Sequence, residues 1–362
     1  MRERVSPWRK RAQLLRRYLG ERAVWCAWQV TYRCNFRCHF CQYWRGPADA
    51  ADELTVEEFA TGARRLAQWG AIIISLGGGE PLLRPDIVDV VRELARYHFV
   101  FLTTNGWLVT PELAGRLYEA GLWGASVSLD YADPVRHDRQ RGRDGAFARA
   151  RAALSAFVAA RTQPYQRVNL LATLVADNVG EMEGLAALAL EVGANFMVQP
   201  YSALKTGRAE FLPGPAASRQ LLALHDRYPN FLSHRRFLAR FDAALNGGVP
   251  RCRAGRSFFN IDERGQIALC VDRRADAVGN PCATTSRCSP SGFAERLAAT
   301  AARPAGTTAG GKWRRCTRSG ASWTPCPPTS LGPGRRWRCG AQRVPISETR
   351  EERRDRRRLG WA

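Results

Sequence analysis

Between residues 23 and about 200 the chain alternates six short apolar runs with five stretches of helical period, and few folds accept that order. The apolar runs are 24–30 (VWCAWQV), 71–76 (AIIISL), 99–104 (FVFLTT), 125–129 (ASVSL), 168–175 (VNLLATLV) and 195–200 (NFMVQP). The helical stretches lie near 55–69, 85–97, 111–120, 143–161 and 180–192. Thr55 precedes Val56-Glu57-Glu58 and Thr110 precedes Pro111-Glu112, and a threonine hydroxyl there can accept from the unpaired amides of a first helical turn. Strands that alternate with helices are joined by crossovers, so the sheet is expected to be parallel and covered on both faces. The fold class is therefore α/β. Six such units make either a doubly wound sheet or a partial (β/α)6 TIM-like barrel, and periodicity alone leaves both open.

The flanks read differently. Residues 1–22 form a basic N-terminal helix, with Trp8, Leu15 and Leu19 toward one side of 6–19. It either packs across an end of the barrel or serves as an arm for a membrane surface or RNA. Residues 23–213 make the barrel, and 214–280 a small C-terminal extension. The extension begins with one or two helices over 215–247, turning at Tyr228-Pro229-Asn230. A hairpin over 252–270 follows, joining SFFNI to QIALC through Asp262-Glu263-Arg264-Gly265, where Gly265 supplies a positive φ. Residues 281–362 contain only Phe293, Leu297, Leu331, Val344, Ile346 and Leu359 from the Ile, Leu, Val, Phe and Met classes, too few for a packed core. Arg, Pro, Gly, Ser and Thr take over, yet four Trp and five Cys remain. That mixture is what GC-rich codons yield out of frame, and the stretch reads as a disordered or frameshifted tail.

The formal net charge of +22 suggests a nucleic-acid partner until it is located along the chain. Residues 1–22 carry +6 and residues 281–362 carry +12, which leaves +4 for the 258 residues between them. The body is nearly balanced, so the composition gives no argument for nucleic acid. No apolar run approaches the roughly 20 residues of a membrane span, and no secretory signal is visible. Eleven cysteines without an export signal favour metal binding or catalysis over a disulfide framework, and a cytoplasmic setting.

Three of those cysteines, Cys34, Cys38 and Cys41, stand at C-x-x-x-C-x-x-C spacing just past the first strand. That edge is where α/β folds build their sites. Three local thiolates can hold an iron–sulfur cluster with one iron left open; a zinc site would need a fourth ligand, for which His39 is the nearest candidate. The run CNFRCHFC resembles the signature of the radical S-adenosylmethionine superfamily, including the aromatic Phe40 before the last cysteine. Three further segments are similar to that superfamily's motifs, in order and on successive strands: Gly77-Gly78-Gly79-Glu80-Pro81, Thr103-Thr104-Asn105-Gly106, and Ser126-Val127-Ser128-Leu129-Asp130. His137-Asp138-Arg139-Gln140-Arg141-Gly142 resembles the H-D-x-x-R-G of its peptide- and cofactor-modifying members.

The resemblance implies a partial (β/α)6 barrel and a 4Fe–4S cluster on Cys34, Cys38 and Cys41, with S-adenosylmethionine completing the ligand set. Reductive cleavage then gives a 5′-deoxyadenosyl radical that takes hydrogen from a substrate. It further implies that Phe40, Gly78, Gly79, Glu80, Thr104, Asn105, Ser128, Asp130 and Arg141 bind the cofactor, with Glu80 receiving the methionyl ammonium and Arg141 a carboxylate. No residue is assigned as the catalytic group acting on substrate. Cys252 and Cys270, with Gly265 between them and Val278-Gly279-Asn280 after, resemble the opening of the SPASM/twitch extension, which implies an auxiliary 4Fe–4S cluster. The downstream C-x-x-C pair common in that extension has no counterpart, since the remaining cysteines are 282, 288, 316, 326 and 339. The expected partners are a peptide or peptide-derived substrate, alternatively a small cofactor, isoprenoid or tetrapyrrole precursor, and a reductant such as flavodoxin or ferredoxin. A non-catalytic remnant is the alternative if the auxiliary site cannot form.

Overall fold

Each of the six apolar runs forms a strand. The computed structural model describes residues 4–46, 48–206, 208–214, 216–245, 252–273 and 279–280. The strands are β1 (Trp25–Thr31), β2 (Ile73–Gly78), β3 (Phe99–Thr104), β4 (Leu122–Ser128), β5 (Arg167–Leu174) and β6 (Asn195–Pro200). They pair in parallel in sequence order, and β7 (Phe258–Ile261) adds in parallel to the free side of β1. The short β8 (Ile267–Ala268) pairs antiparallel with β7, giving an eight-stranded sheet ordered β6-β5-β4-β3-β2-β1-β7-β8. A mostly parallel sheet of consecutive β/α units is the partial TIM-like arrangement expected from the sequence. The extension's hairpin is joined to it by main-chain pairing.

The helices between and around these strands are α1 (Pro7–Leu19), α2 (Val56–Ala67), α3 (Ile87–Ala95), α4 (Pro111–Ala120), α5 (Pro134–Arg141), α6 (Ala146–Ala159) and α7 (Met182–Glu191). After β6 come α8 (Ala203–Thr206), α9 (Ala217–Arg227), α10 (Arg235–Leu238) and α11 (Phe241–Leu245). Thr55 caps α2 in a reciprocal box with Glu58, and Thr110 caps α4, whose far end closes on Gly121 in the left-handed region.

The apolar runs prove to be two-faced. Trp28, Val30, Ile74, Leu76, Leu102, Val127, Leu170 and Val198 are buried against the helices. Their alternates Ala27, Gln29, Ser75, Gly77, Thr103, Ser128, Thr173 and Gln199 line a cavity on the other face. Register aligns these small and polar residues: Ala27 lies opposite Ser75, Gln29 opposite Gly77, and Thr173 opposite Gln199.

Three readings are corrected by the structure. Residues 134–141 form α5, which the sequence hides because PVRHDRQR has no apolar stripe. β4 starts at Leu122, three residues earlier than expected, directly after Gly121 ends α4. The N-terminal helix does pack across an end of the sheet, but with the face opposite Trp8, Leu15 and Leu19, which are exposed. Lys10 donates to Ala95 O, Arg17 donates to Ala23 O at 2.8 Å and Trp69 O at 2.6 Å, and Gln13 accepts from Ala71 N at 2.9 Å. Loops entering the strands present unpaired carbonyls there, and only donors can satisfy them. The stretch 281–362, with the tail reading and its five cysteines, lies outside the described residues, as does Val278.

Candidate active site

The loops carrying the motifs of the first four strands emerge at the strands' C-terminal ends, so those motifs meet at one end of the sheet. Cys34, Cys38 and Cys41 line one cavity of about 310 Å³ together with Phe40, Gly78, Gly79, Thr104, Asn105, Ser128 and Arg141. Gln199, which the sequence left unassigned, lines it too. Glu80 and Asp130 do not; they lie fully buried behind its wall. Cys252 is exposed and Cys270 half-buried in the extension, away from this cavity's lining.

The cysteine loop is held from three sides. Its backbone donates from His39 N to Gln140 O at 2.9 Å, and Arg143 donates to Asn35 O at 2.9 Å, tying it to the end of α5 and the residues after. The glycines after β2 come so close that Gly79 N donates to Thr31 O at 2.8 Å and Glu80 N to Arg33 O at 2.9 Å. A Cβ at Gly79 would overlap the Arg33 carbonyl, and Gly78 holds φ +119° with its missing Cβ directed at the Thr31 carbonyl. Underneath, Glu53 accepts from Thr31, from Arg33 at 2.8 and 2.9 Å, and from Arg84 at 3.2 Å. Arg84 also donates to Leu54 O at 2.7 Å and pairs with Asp86 at 2.8 Å. This Glu53–Arg33–Arg84 knot is missing from the sequence reading. Its carboxylate stands twelve residues past the last cysteine with no motif around it.

Glu80 is occupied by its neighbours. Its oxygens accept from Thr104 Oγ1 at 2.8 Å, Asn105 N at 2.7 Å and Leu82 N at 3.0 Å, which takes three of about four lone-pair sites. Burial pushes its carboxyl up to about 6 despite those donors. Asn105 in turn donates to Asn35 in the cysteine loop at 2.7 Å. α5 carries His137 and Arg141 on one face, four residues apart. His137 Nδ1 accepts from Asp130 N at 3.2 Å, and the Arg141 guanidinium pairs with Asp130 at 2.6 Å. Burial works against the Arg141 charge, but Asp130 and Cys38 outweigh it and hold the guanidinium above its usual range. The same guanidinium lies 5.4 Å from the centre of the Phe40 ring. Arg141 Nε, buried, has no hydrogen-bond partner among the described residues, so one donor remains for a ligand.

The donor set in the cavity is three thiols, with no carboxylate or imidazole among its described lining residues, and thiolates are the usual ligands of iron–sulfur clusters. No three of the His, Cys, Asp and Glu side chains among the described residues are close enough to hold one metal ion, although the three thiols share a cavity. Burial pushes the Cys34 thiol up to about 11 and the Cys38 thiol up to about 12, so both stay protonated until a cation displaces the protons.

Residues 28–189 match the family described as the Radical SAM superfamily. That family implies a 4Fe–4S cluster and S-adenosylmethionine. Among curated relatives, the AdoMet-dependent heme synthase of Methanosarcina barkeri is 37% identical over 169 residues, 46% of this chain and 47% of that one. The mycofactocin maturase MftC of Mycobacterium ulcerans is 29% identical over 251 residues, 67% of each. The chain thus spans about half the length of the first and two thirds of the second. A solved structure, Streptococcus suis SuiB bound to precursor peptide SuiA, has the same fold at TM-score 0.56 and 17% identity, covering 72% of this chain and 63% of that one. No helix among the described residues is long and apolar enough to cross a membrane.

Proposed function

We propose that this chain cleaves S-adenosylmethionine reductively and takes a hydrogen atom from a peptide or peptide-derived substrate bound in the barrel lumen. When bound, the cluster would supply the one-electron reduction that cleaves the sulfonium and so the means of hydrogen abstraction. Cys34, Cys38 and Cys41 would hold the cluster through their three thiolates. Gly78 and Gly79 let the main chain approach the cofactor, with Thr104, Asn105 and Ser128 offering hydrogen bonds around it. Glu80, from behind the wall, fixes Thr104 and Asn105 at the lining. Arg141, held charged by Asp130, takes the carboxylate through its spare Nε. Trp25, Phe36 and Trp44 line the cavity and help keep water from a reactive centre.

The observation that carries the substrate class is the lumen's charge. Arg141 is the one charged side chain among the described residues lining the cavity, and it is already paired. What remains is Gln29, Ser75, Thr103, Thr173 and Gln199, neutral groups that donate and accept. A polycarboxylate or polyphosphate would need several guanidinium or ammonium partners there. Amide groups need only hydrogen bonds. A maturase among the relatives and a structural neighbour solved with a precursor peptide support the same choice. Residues 23–213 then act as the catalytic barrel and 214–280 as a SPASM/twitch-type extension that lends Val271 to the lumen wall. Any auxiliary cluster on Cys252 and Cys270 would take its further ligands from outside the described residues. A flavodoxin or ferredoxin would be the electron donor.

The test is anaerobic reconstitution followed by dithionite and S-adenosylmethionine. Formation of 5′-deoxyadenosine, increased by a peptide substrate, is expected; full iron loading without cleavage would overturn the reading. Tight binding of a porphyrin polycarboxylate, read from its visible absorbance, would contradict the peptide assignment while leaving the cleavage chemistry intact.

A further inference from the structure

Ten large hydrophobic side chains are exposed among the described residues, and four of them sit on α1: Trp8 at 76%, Leu15 at 57%, Tyr18 at 68% and Leu19 at 58%. At 3.6 residues per turn these four fall within about 100° of the helix circumference. Arg9 and Arg16 border that arc on one side and Arg11 lies within it, all three exposed. The opposite side carries Lys10, Gln13 and Arg17, which dock the helix onto the sheet. A helix normally buries its apolar stripe and shows its cations to water. Here the cations on one side are spent on main-chain carbonyls, and the aromatic and aliphatic side chains face outward among further arginines.

The neighbouring surface continues the pattern. Arg11 lies 5.6 Å over the ring of half-buried Trp123, at the start of β4, and Trp123 stacks on Tyr165 at 4.5 Å. Tryptophan, tyrosine and arginine together suit a boundary between hydrocarbon and charged headgroups. The place in the fold matters as much as the composition. α1 touches the segments that lead into β1, β2 and β3, through Ala23, Trp69 with Ala71, and Ala95 with His98. It therefore covers the N-terminal ends of the strands, whereas the cysteines and Arg141 sit beyond their C-terminal ends.

We propose that the outer face of α1 docks the enzyme onto anionic lipid bilayers, apolar side chains entering the headgroup boundary and arginines pairing with lipid phosphates. The orientation follows: the strands' N-terminal ends face the membrane, and the cavity mouth opens to solvent, accessible to a reductant and a substrate. Charge complementarity selects this occupant, because a second copy of the chain would bring the same arginines against these.

The test is co-sedimentation of the full reconstituted chain with vesicles of phosphatidylglycerol and phosphatidylcholine in equal parts, and with phosphatidylcholine alone. The chain is expected to bind the first and not the second. The triple variant Trp8→Ser/Leu15→Ser/Leu19→Ser keeps every charge, including those of the basic C-terminal stretch, and its partitioning should fall by at least about tenfold. Unchanged melting midpoint and iron content confirm that it folds. Equal binding by variant and wild type would overturn the proposal in favour of adsorption by charge alone. So would absence of vesicle binding, binding of single-stranded RNA that displaces the vesicles, or a wild-type dimer that the variant turns into a monomer.

Discussion

Glu53 accepts from Thr31 at the end of β1, from Arg33 beside the first cysteine, and from Arg84 beyond the glycine turn. Its side chain and that of Arg84 are each 5% exposed, so removing its charge leaves the buried Arg84 guanidinium with Asp86 as its one carboxylate and removes the partner of the 30% exposed Arg33. Glu53→Gln is expected to cost about 2 kcal/mol in denaturant unfolding and to lower the iron retained after reconstitution, though Glu53 does not line the cavity. His98 tests the interior in another way. Its Nδ1 accepts from Ile72 N at 3.3 Å and its other ring nitrogen meets Ala63 O at 3.0 Å, and burial pushes it down to about 4. The unfolded chain binds this proton near pH 6.5, the folded chain only near 4. Stability is therefore complete above pH 6.5 and falls, by about 3 kcal/mol from this residue, as pH drops toward 4. Unfolding followed against pH should show that loss, and a shallower one in His98→Gln.

At the scale of elements, the close crossing of β1's end and the glycine turn after β2 is the feature on which the cysteine loop rests. Gly79→Ala places a methyl group against the Arg33 carbonyl, and neither backbone can retreat without breaking Gly79 N to Thr31 O or Glu80 N to Arg33 O. The expected result is a soluble, folded barrel with much reduced iron and no S-adenosylmethionine cleavage; unchanged iron and activity would show that the crossing can yield. The sequence makes the strands and the capped helices α2 and α4 legible, because apolar period and Thr-initiated turns are local signals. It hides α5, whose polar sequence is stabilised from outside, by Asp133 and Gly142 at its ends and by its contacts with the cysteine loop. It also misleads about α1, since period shows which residues share a face but not which face finds a partner. In the site, residues inside contiguous motifs are visible, and the structure brings them to one end of the sheet. Gln29 and Thr173 are not, because a polar residue within an apolar strand gives no sign of which way it points. Glu53 is not, because its partners are twenty and thirty-one residues away.

Considered whole, the molecule separates its tasks along the sheet. Strand interiors bury Trp28, Ile74, Leu102 and Val127 against the helices, the facing residues leave a neutral lumen, and the C-terminal ends gather thiols and one paired guanidinium. The N-terminal ends are covered by a helix that shows aromatic and aliphatic side chains outward. The claim on which the functional account rests is that Cys34, Cys38 and Cys41 act together as the ligands of one cluster. Iron and sulfide counting on anaerobically reconstituted protein tests it most directly, comparing wild type with Cys34→Ala, Cys38→Ala and Cys41→Ala, and with Cys252→Ala/Cys270→Ala. The account predicts about four irons for wild type, near-complete loss of iron and of 5′-deoxyadenosine in each of the three single variants, and a barrel cluster that survives the double variant. Full iron and full cleavage in any one of the single variants would contradict it.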